Sequence, residues 1–192
     1  MNELHFYLKQ FFQVHENDLE KVASFFEPET LHKGDFLVKQ GHYCDRLSFI
    51  TSGLMRIYAD GPKTEITQWI SSPGYFVTEL NSFLFQSPSR FHIQCLSDVG
   101  LFTIRKKEYE HLQDIIPDWN KLEKAFLAKC FVMLEDRVFA HLSLSAEERY
   151  ERFFETQKEL LHQVPLQYIA SMLGMTPETF SRVRKKHLES GS

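Results

Sequence analysis

Hydrophobic and polar positions change their rhythm twice along this chain. In residues 1–26, Leu4, Leu8, Phe11 and Phe12 recur at helical spacing, and Leu19, Val22, Phe25 and Phe26 repeat the pattern. Asn17 and Asp18 are candidate caps for this second short helix, and Pro28 is expected to stop it. From Leu31 to Arg105 the period shortens. The stretches DFLVKQG, RLSFITSG, LMRIYAD, EITQWIS, RFHIQCLS and VGLFTIR are rich in β-branched and aromatic residues and partly alternate. Gly34, Gly41, Gly53, Gly61-Pro62, Pro73-Gly74 and Pro88 punctuate them. Short strands at about 8–12-residue spacing predict a sandwich or barrel. Residues 76–85, FVTELNSFLF, predict a short helix between strands.

Beyond Lys106 the strand pattern ends. KKEYEHLQDII reads as a helix stopped near Pro117. The next run, from Asp118 as a candidate cap to Leu142, contains neither Gly nor Pro. It carries two apolar stripes: Leu122, Phe126 and Met133 on one side, and Leu127, Phe131, Leu134, Val138 and Leu142 on another. One stripe packs a helix onto its own domain. A second needs another surface, and a paired helix from a second copy is the expected cover, giving a coiled-coil-like homodimer seam. Burial of both stripes within one chain is the alternative. SLSAEER then reads as a hinge into a helix over residues 145–163, with Tyr150, Phe153 or Phe154, Leu160 and Leu161 on its apolar face.

The last third ends in IASMLGMTPETFSRVRKK, residues 169–186. Its residue types suit two helices crossing through a tight turn. Ala170 leaves room for close approach, and Gly174 can take a positive φ where the backbone turns. Leu173, Met175, Phe180 and Val183 supply a small core. Thr176 is a candidate N-cap, Pro177 suits the first helical position, and Glu178 favours the positive helix end. The opposite face then presents Glu178, Ser181 and Arg182 as candidate base-reading residues for the DNA major groove. Gln167, Ser171, Thr176, Arg184, Lys185 and Lys186 are candidate phosphate contacts.

Charge and chemistry narrow the reading further. Net charge is −4, so nucleic-acid binding must come from a local patch. Cys44, Cys95 and Cys130 are far apart and odd in number, which disfavours a disulfide framework, a zinc knuckle or a four-cysteine cluster. The nine histidines never form a His-x-His pair, and there is no Gly-x-Ser-x-Gly or phosphate loop. No catalytic residues, metal site or cofactor are therefore expected. No stretch has the length of a membrane span, and the N-terminus lacks a signal-peptide pattern, so a cytoplasmic location is expected.

Taken together, these residues resemble the cyclic-AMP receptor protein and fumarate–nitrate regulator (Crp/Fnr) superfamily of bacterial transcription factors. HKGDFLVKQGHYCDRLSFITSGLMRIY is similar to the opening strands of its cyclic-nucleotide-binding-type β-barrel, and Gly34, Gly41 and Gly53 stand at its turn glycines. The helix at 118–142 resembles its dimer helix, and Glu178, Thr179 and Arg182 match the E-T-x-x-R of its recognition helix. The resemblance implies an α+β chain: a sensor domain over 1–116 built on a double-stranded β-helix with flanking helices, a dimerisation helix and hinge over 117–143, and an all-α helix-turn-helix domain over 144–192. It implies transcription regulation by a homodimer on near-palindromic double-stranded DNA, with RNA polymerase as a further partner. A ligand pocket would be lined by Glu79, Leu80, Ser89 and Arg90. Two departures bear on it. Thr78 replaces the glycine of the family's phosphate cassette, and Ser89 stands at its arginine position with Arg90 one place later. If that segment is a strand, the offset turns Arg90 to the wrong face, so cyclic AMP is not the expected effector; the sensor is expected to hold another small molecule, of open identity, or none. A wing after the recognition helix is also not evident in HLESGS. The alternative reading is a ligand-sensing β-barrel whose helical C-terminus binds a protein rather than DNA.

Overall fold

In a computed structural model describing residues 2–190, the alternating middle of the chain becomes two antiparallel sheets. The strands are β1 (Glu27–Leu31), β2 (Phe36–Val38), β3 (Arg46–Ser52), β4 (Met55–Asp60), β5 (Glu65–Ser71), β6 (Phe76–Val77), β7 (His92–Cys95) and β8 (Val99–Arg105). One sheet has the order β1-β8-β3-β6 and the other β2-β7-β4-β5. The edge strands of the two sheets do not pair with each other, so the predicted barrel is an open eight-stranded sandwich. Leu37, Ile50, Met55, Val77, Ile93, Val99 and Leu101 pack between the sheets. Gly53, at φ +82, makes the β3–β4 turn; a Cβ there would lie 2.1 Å from the Asp98 carbonyl oxygen, so only glycine fits.

The N-terminal region departs from its predicted helix boundaries. Helix α1 (Asn2–Tyr7) runs into a π-helical turn at Leu8–Phe12, and α2 (Glu16–Ala23) follows. His15, in extended backbone, precedes α2; Asn17 and Asp18 fall inside its first turn rather than capping it. Helix α2 ends at Ala23, before Pro28. Pro28 instead pairs with Phe102 on the edge strand β1, a place where a missing N–H is tolerated.

Helix α3 (Leu80–Phe85) is the predicted insertion, and α4 (Lys106–Ile115) leads to α5 (Trp119–Ser143). Asp118 stands at the start of α5 in left-handed backbone, φ 59, and makes no side-chain cap bond. The first half of α5 is held by aromatic stacking. The Phe12 ring lies 4.2 Å from Phe126 with 6° between planes and 5.7 Å from Trp119 with 15°. Leu122 and Phe126 are buried, whereas Phe131, Leu134, Val138 and Leu142 of the second stripe lie exposed.

The predicted helix over 145–163 is broken in two, α6 (Ala146–Gln157) and α7 (Leu160–Gln163). Ser145 and Glu148 form a reciprocal capping box at the start of α6. Helices α8 (Leu166–Met172) and α9 (Pro177–Ser190) complete the described residues. Tyr150 and Phe180, edge to face at 5.5 Å, centre a second core. Leu54 and Ile70 of the sandwich join it, so α8 rests on β5.

Candidate functional site

The turn between α8 and α9 is built from local constraints. Gly174 takes φ +67, and the N–H groups of Leu173 and Met175 both bond the Ala170 carbonyl, at 3.2 and 2.9 Å. Ala170 is fully buried, which allows this close packing. Thr176 caps α9: its hydroxyl accepts the Thr179 N–H at 3.2 Å. A backbone hydrogen bond at the helix start, and the Thr176 hydroxyl, hold the Glu178 carboxyl below its ordinary pKa.

Phe180 and Val183 turn into the core, so the opposite face of α9 is presented to solvent. Pro177, Glu178, Ser181, Arg182 and Lys185 line one open surface there. All three candidate base-reading residues, Glu178, Ser181 and Arg182, are exposed on this face. A guanidinium there can offer two parallel donors to guanine, and a carboxylate can accept from cytosine.

The candidate phosphate contacts divide. Gln167, Thr176 and Lys185 are exposed, Arg184 is half-buried, and Lys186 pairs with Glu147 of α6 at 2.8 Å. Lys185 lies 3.8 Å from Glu189. Ser171 faces the sandwich: its hydroxyl accepts the backbone N–H of Thr67 on β5 at 2.9 Å. In this arrangement Ser171 is engaged within the chain.

The four candidate effector residues come together only in part. Glu79 is buried; it caps α3 by accepting the Ser82 N–H at 2.7 Å, and its other oxygen lies 3.9 Å from Arg90 Nε. Ser89 is buried and donates its hydroxyl to the Phe91 carbonyl at 2.6 Å. Leu80 is half-buried on the α3 side. Residues 86–91 form a loop and β7 begins at His92, so strand alternation does not govern Arg90. Contrary to the strand-based expectation, Arg90 approaches Glu79. At 3.9 Å the contact is longer than a hydrogen bond, and the Arg90 side chain stays 70% exposed. Thr78 is committed, donating to the Arg46 carbonyl at 2.8 Å.

Two clefts lie along α5, away from Glu79 and Arg90. One, about 220 Å³, is bounded by Phe11, Phe76, Phe126 and Met133. The other, about 310 Å³, lies where the sandwich, α5 and α6 meet. Sequence reasoning named Met133, Phe153 and Leu173 of its lining only as apolar packing positions, and singled out neither its Trp69, Arg137, Arg149 and Arg152 nor the contact of the Arg56 guanidinium with the Tyr168 ring, because both features join elements far apart along the chain. Among the described residues, no group of three or more metal-binding side chains is placed to hold an ion. No helix among them is long and apolar enough to cross a membrane.

Residues 28–114 match the model of the cyclic nucleotide-binding domain family. The fold is similar to that of FixK2 from Bradyrhizobium japonicum, at 18% identity and TM-score 0.73 over 86% of either chain. It is similar to CLP of Xanthomonas campestris, described as a c-di-GMP responsive global regulator, at 18% identity and TM-score 0.67 over 92% of this chain and 93% of that one. It is also similar to the catabolite activator protein of Thermus thermophilus, at 22% identity and TM-score 0.59 over 96% and 88%. No curated protein matches the sequence.

Proposed function

We propose that this chain, which carries a cyclic nucleotide-binding domain at residues 28–114 within the fold of Crp/Fnr-type regulators, is a dimeric, sequence-specific DNA-binding transcription regulator. Residues 1–116 form its sensor, 117–143 its dimer helix and hinge, and 144–192 its DNA-binding part. The observation that carries the reading is the two-sided character of α9. Its apolar side closes a core, while Glu178, Ser181 and Arg182 share an exposed face at its N-terminal half, with Lys185 just beyond. A second helix entering the major groove uses that half to meet base edges.

Pairing along Phe131, Leu134, Val138 and Leu142 would set two copies of α9 on one face of a duplex. With recognition helices about 34–36 Å apart, the target is a near-palindrome. Arg182 would take the bidentate guanine contact, with Glu178 orienting it or accepting from cytosine. Thr176, Gln167, Arg184, Lys185 and Lys186 would meet phosphates; Ser171 would join them only after leaving Thr67. With Arg90 near Glu79, the departure that still speaks against cyclic AMP is Thr78 at the cassette glycine, its hydroxyl committed to the Arg46 carbonyl. The named regulators of similar fold make a transcriptional role, rather than an enzymatic one, the natural reading.

The experiment is a fluorescence-anisotropy titration with promoter DNA selected by this protein, at two salt concentrations. Salt-sensitive binding that Arg182→Ala weakens on the selected site more than on random DNA is expected. Salt-insensitive binding, or equal affinity of the Arg182→Ala variant, overturns the reading.

A further inference from the structure

The 310 Å³ cleft has a lining of two kinds. Part is aromatic, formed by Trp69 and Tyr75 with ring centroids 6.2 Å apart. The same lining is cationic: Arg137 of α5, whose guanidinium lies over the Trp69 ring, and Arg149 and the exposed Arg152 of α6. Asp136 lines the same cleft and offsets only one of these three charges.

The cations are not consumed by carboxylates. Among the described residues, no carboxylate lies within 4.0 Å of the Arg137, Arg149 or Arg152 guanidinium. Arg137 is half-buried with its guanidinium 5.0 Å from the centroid of the Trp69 ring. Burial pulls its pKa below the ordinary value. Arg149 donates to the Leu173 carbonyl at 2.9 Å and the Leu144 carbonyl at 2.6 Å, which fixes its guanidinium at the cleft edge. Gathering three cations around one carboxylate in a partly desolvated cleft is unfavourable unless an anion visits.

The geometry points to a binding site for one small anion bearing a planar ring, of about mononucleotide size, with its charge against the arginines and its ring against Trp69. Guanidiniums bind phosphate or carboxylate through charge-assisted, often bidentate hydrogen bonds. Trp69 and Tyr75 supply a face for offset or edge stacking of the ring. The volume falls at the lower end of the roughly 300–1,000 Å³ of small-molecule pockets. This site is separate from the Glu79–Arg90 loop, which contributes nothing to the cleft.

Its position gives binding a consequence. The cleft draws residues from the sandwich, from α5 and from the C-terminal helices, including Met172 and Leu173 beside the turn before α9. A ligand touching all three changes the free energy of their docked arrangement by its differential affinity. That effector role rests on the regulator reading above; occupancy of the cleft does not.

The test is isothermal titration calorimetry of the full chain. The ring-bearing anions are adenosine 5′-monophosphate and indole-3-acetate; adenosine and inorganic phosphate are the ring-only and charge-only controls. At least one ring-bearing anion is expected to bind one per chain, at least tenfold more tightly than either control. Arg137→Ala should weaken it tenfold or more, Arg137→Lys less, and Arg90→Ala not at all, with unchanged circular dichroism in each variant. Preference for the monophosphate assigns phosphate esters, and preference for indole-3-acetate assigns carboxylates. No saturable heat from either anion, adenosine binding as tightly as its monophosphate, or loss upon Arg90→Ala with Arg137→Ala unaffected overturns the site. The same samples titrated with DNA separate the two readings, since anion binding retained without DNA binding removes the regulator role alone.

Discussion

The guanidinium of Arg56 on β4 lies 3.7 Å from the ring centroid of Tyr168 on α8, and 4.1 Å from that of Tyr58 on its own strand. The same group donates to Thr67 Oγ1 at 2.9 Å and to Glu65 Oε2 at 2.6 Å. Arg56 is 2% exposed, so its charge is compensated by one carboxylate, one hydroxyl and two aromatic faces. With the Thr67–Ser171 hydrogen bond, this contact clamps the first helix of the terminal pair to the sandwich.

Tyr168→Ala removes one face of that clamp. A desolvated cation–π contact is worth about 1–2 kcal/mol, so opening of α8 from β5 should become roughly five- to thirtyfold more frequent. Hydrogen exchange at the Thr67 amide, whose acceptor is Ser171, reads this directly. The expected outcome is faster exchange at Thr67, with the amides of β3 and β8 unchanged. An unchanged Thr67 rate would remove the clamp from the account.

The exposed stripe on α5 makes a separate prediction. Phe131 is 60% exposed and Leu142 83%, yet both lie on a helix whose other face is packed on the N-terminal aromatic residues. Leu134→Glu places a charge at the centre of the stripe in both copies of a dimer. Two buried leucines contribute about 3–6 kcal/mol, so the dimer dissociation constant should rise at least about a hundredfold. Sedimentation velocity over a concentration series measures it. A wild-type chain sedimenting as a monomer at high concentration refutes the seam.

On α9, the two proposed kinds of contact should separate by salt and sequence. Lys185→Ala is expected to weaken binding to all duplexes alike and to reduce the slope of log affinity against log salt by about 1. Arg182→Ala is expected to cost about 1–3 kcal/mol on the selected site and much less on random DNA. Anisotropy titrations of both variants across four salt concentrations distinguish them. If the two variants behave alike, the division between base-reading and phosphate contacts fails.

What could be read from the sequence was what nearest neighbours decide. The turn before α9 depends on Ala170, Gly174 and Thr176, whose requirements are steric and local, and its position emerged from residue types alone. Strands β3, β4, β5 and β8 were legible because each holds enough alternating residues to show a period. Strand β6, Phe76–Val77, is too short to show one, and β1 was hidden by Pro28, whose edge position depends on a partner strand some seventy residues later. The helix over 145–163 looked continuous because nothing in its composition marks the break at Lys158 and Glu159. Arg90 was misdirected by assuming a strand where a loop gives its side chain freedom to reach Glu79. The Arg56 clamp and the arginine-lined cleft arise only after distant elements meet, and no local pattern encodes them.

The sandwich interior predicts an alkaline limit on stability. Cys95 on β7 is 2% exposed, and burial first, then the negative charges of Asp35, Asp98 and Glu29, push its thiol from 9.0 up to about 12. Well below pH 9 the thiol is protonated in both folded and unfolded chains and contributes no pH dependence. Between pH 9 and about 12 the unfolded chain releases this proton while the folded chain retains it, so stability falls as pH rises. Burial raises Tyr109 in the same direction, adding to the loss at higher pH. Urea denaturation from pH 7 to 10.5 should therefore show a declining midpoint above pH 9. Cys95→Ala should lower the midpoint at pH 7 through lost packing yet flatten its decline above pH 9. A decline equally steep in the variant would show that the Cys95 thiol does not set this limit.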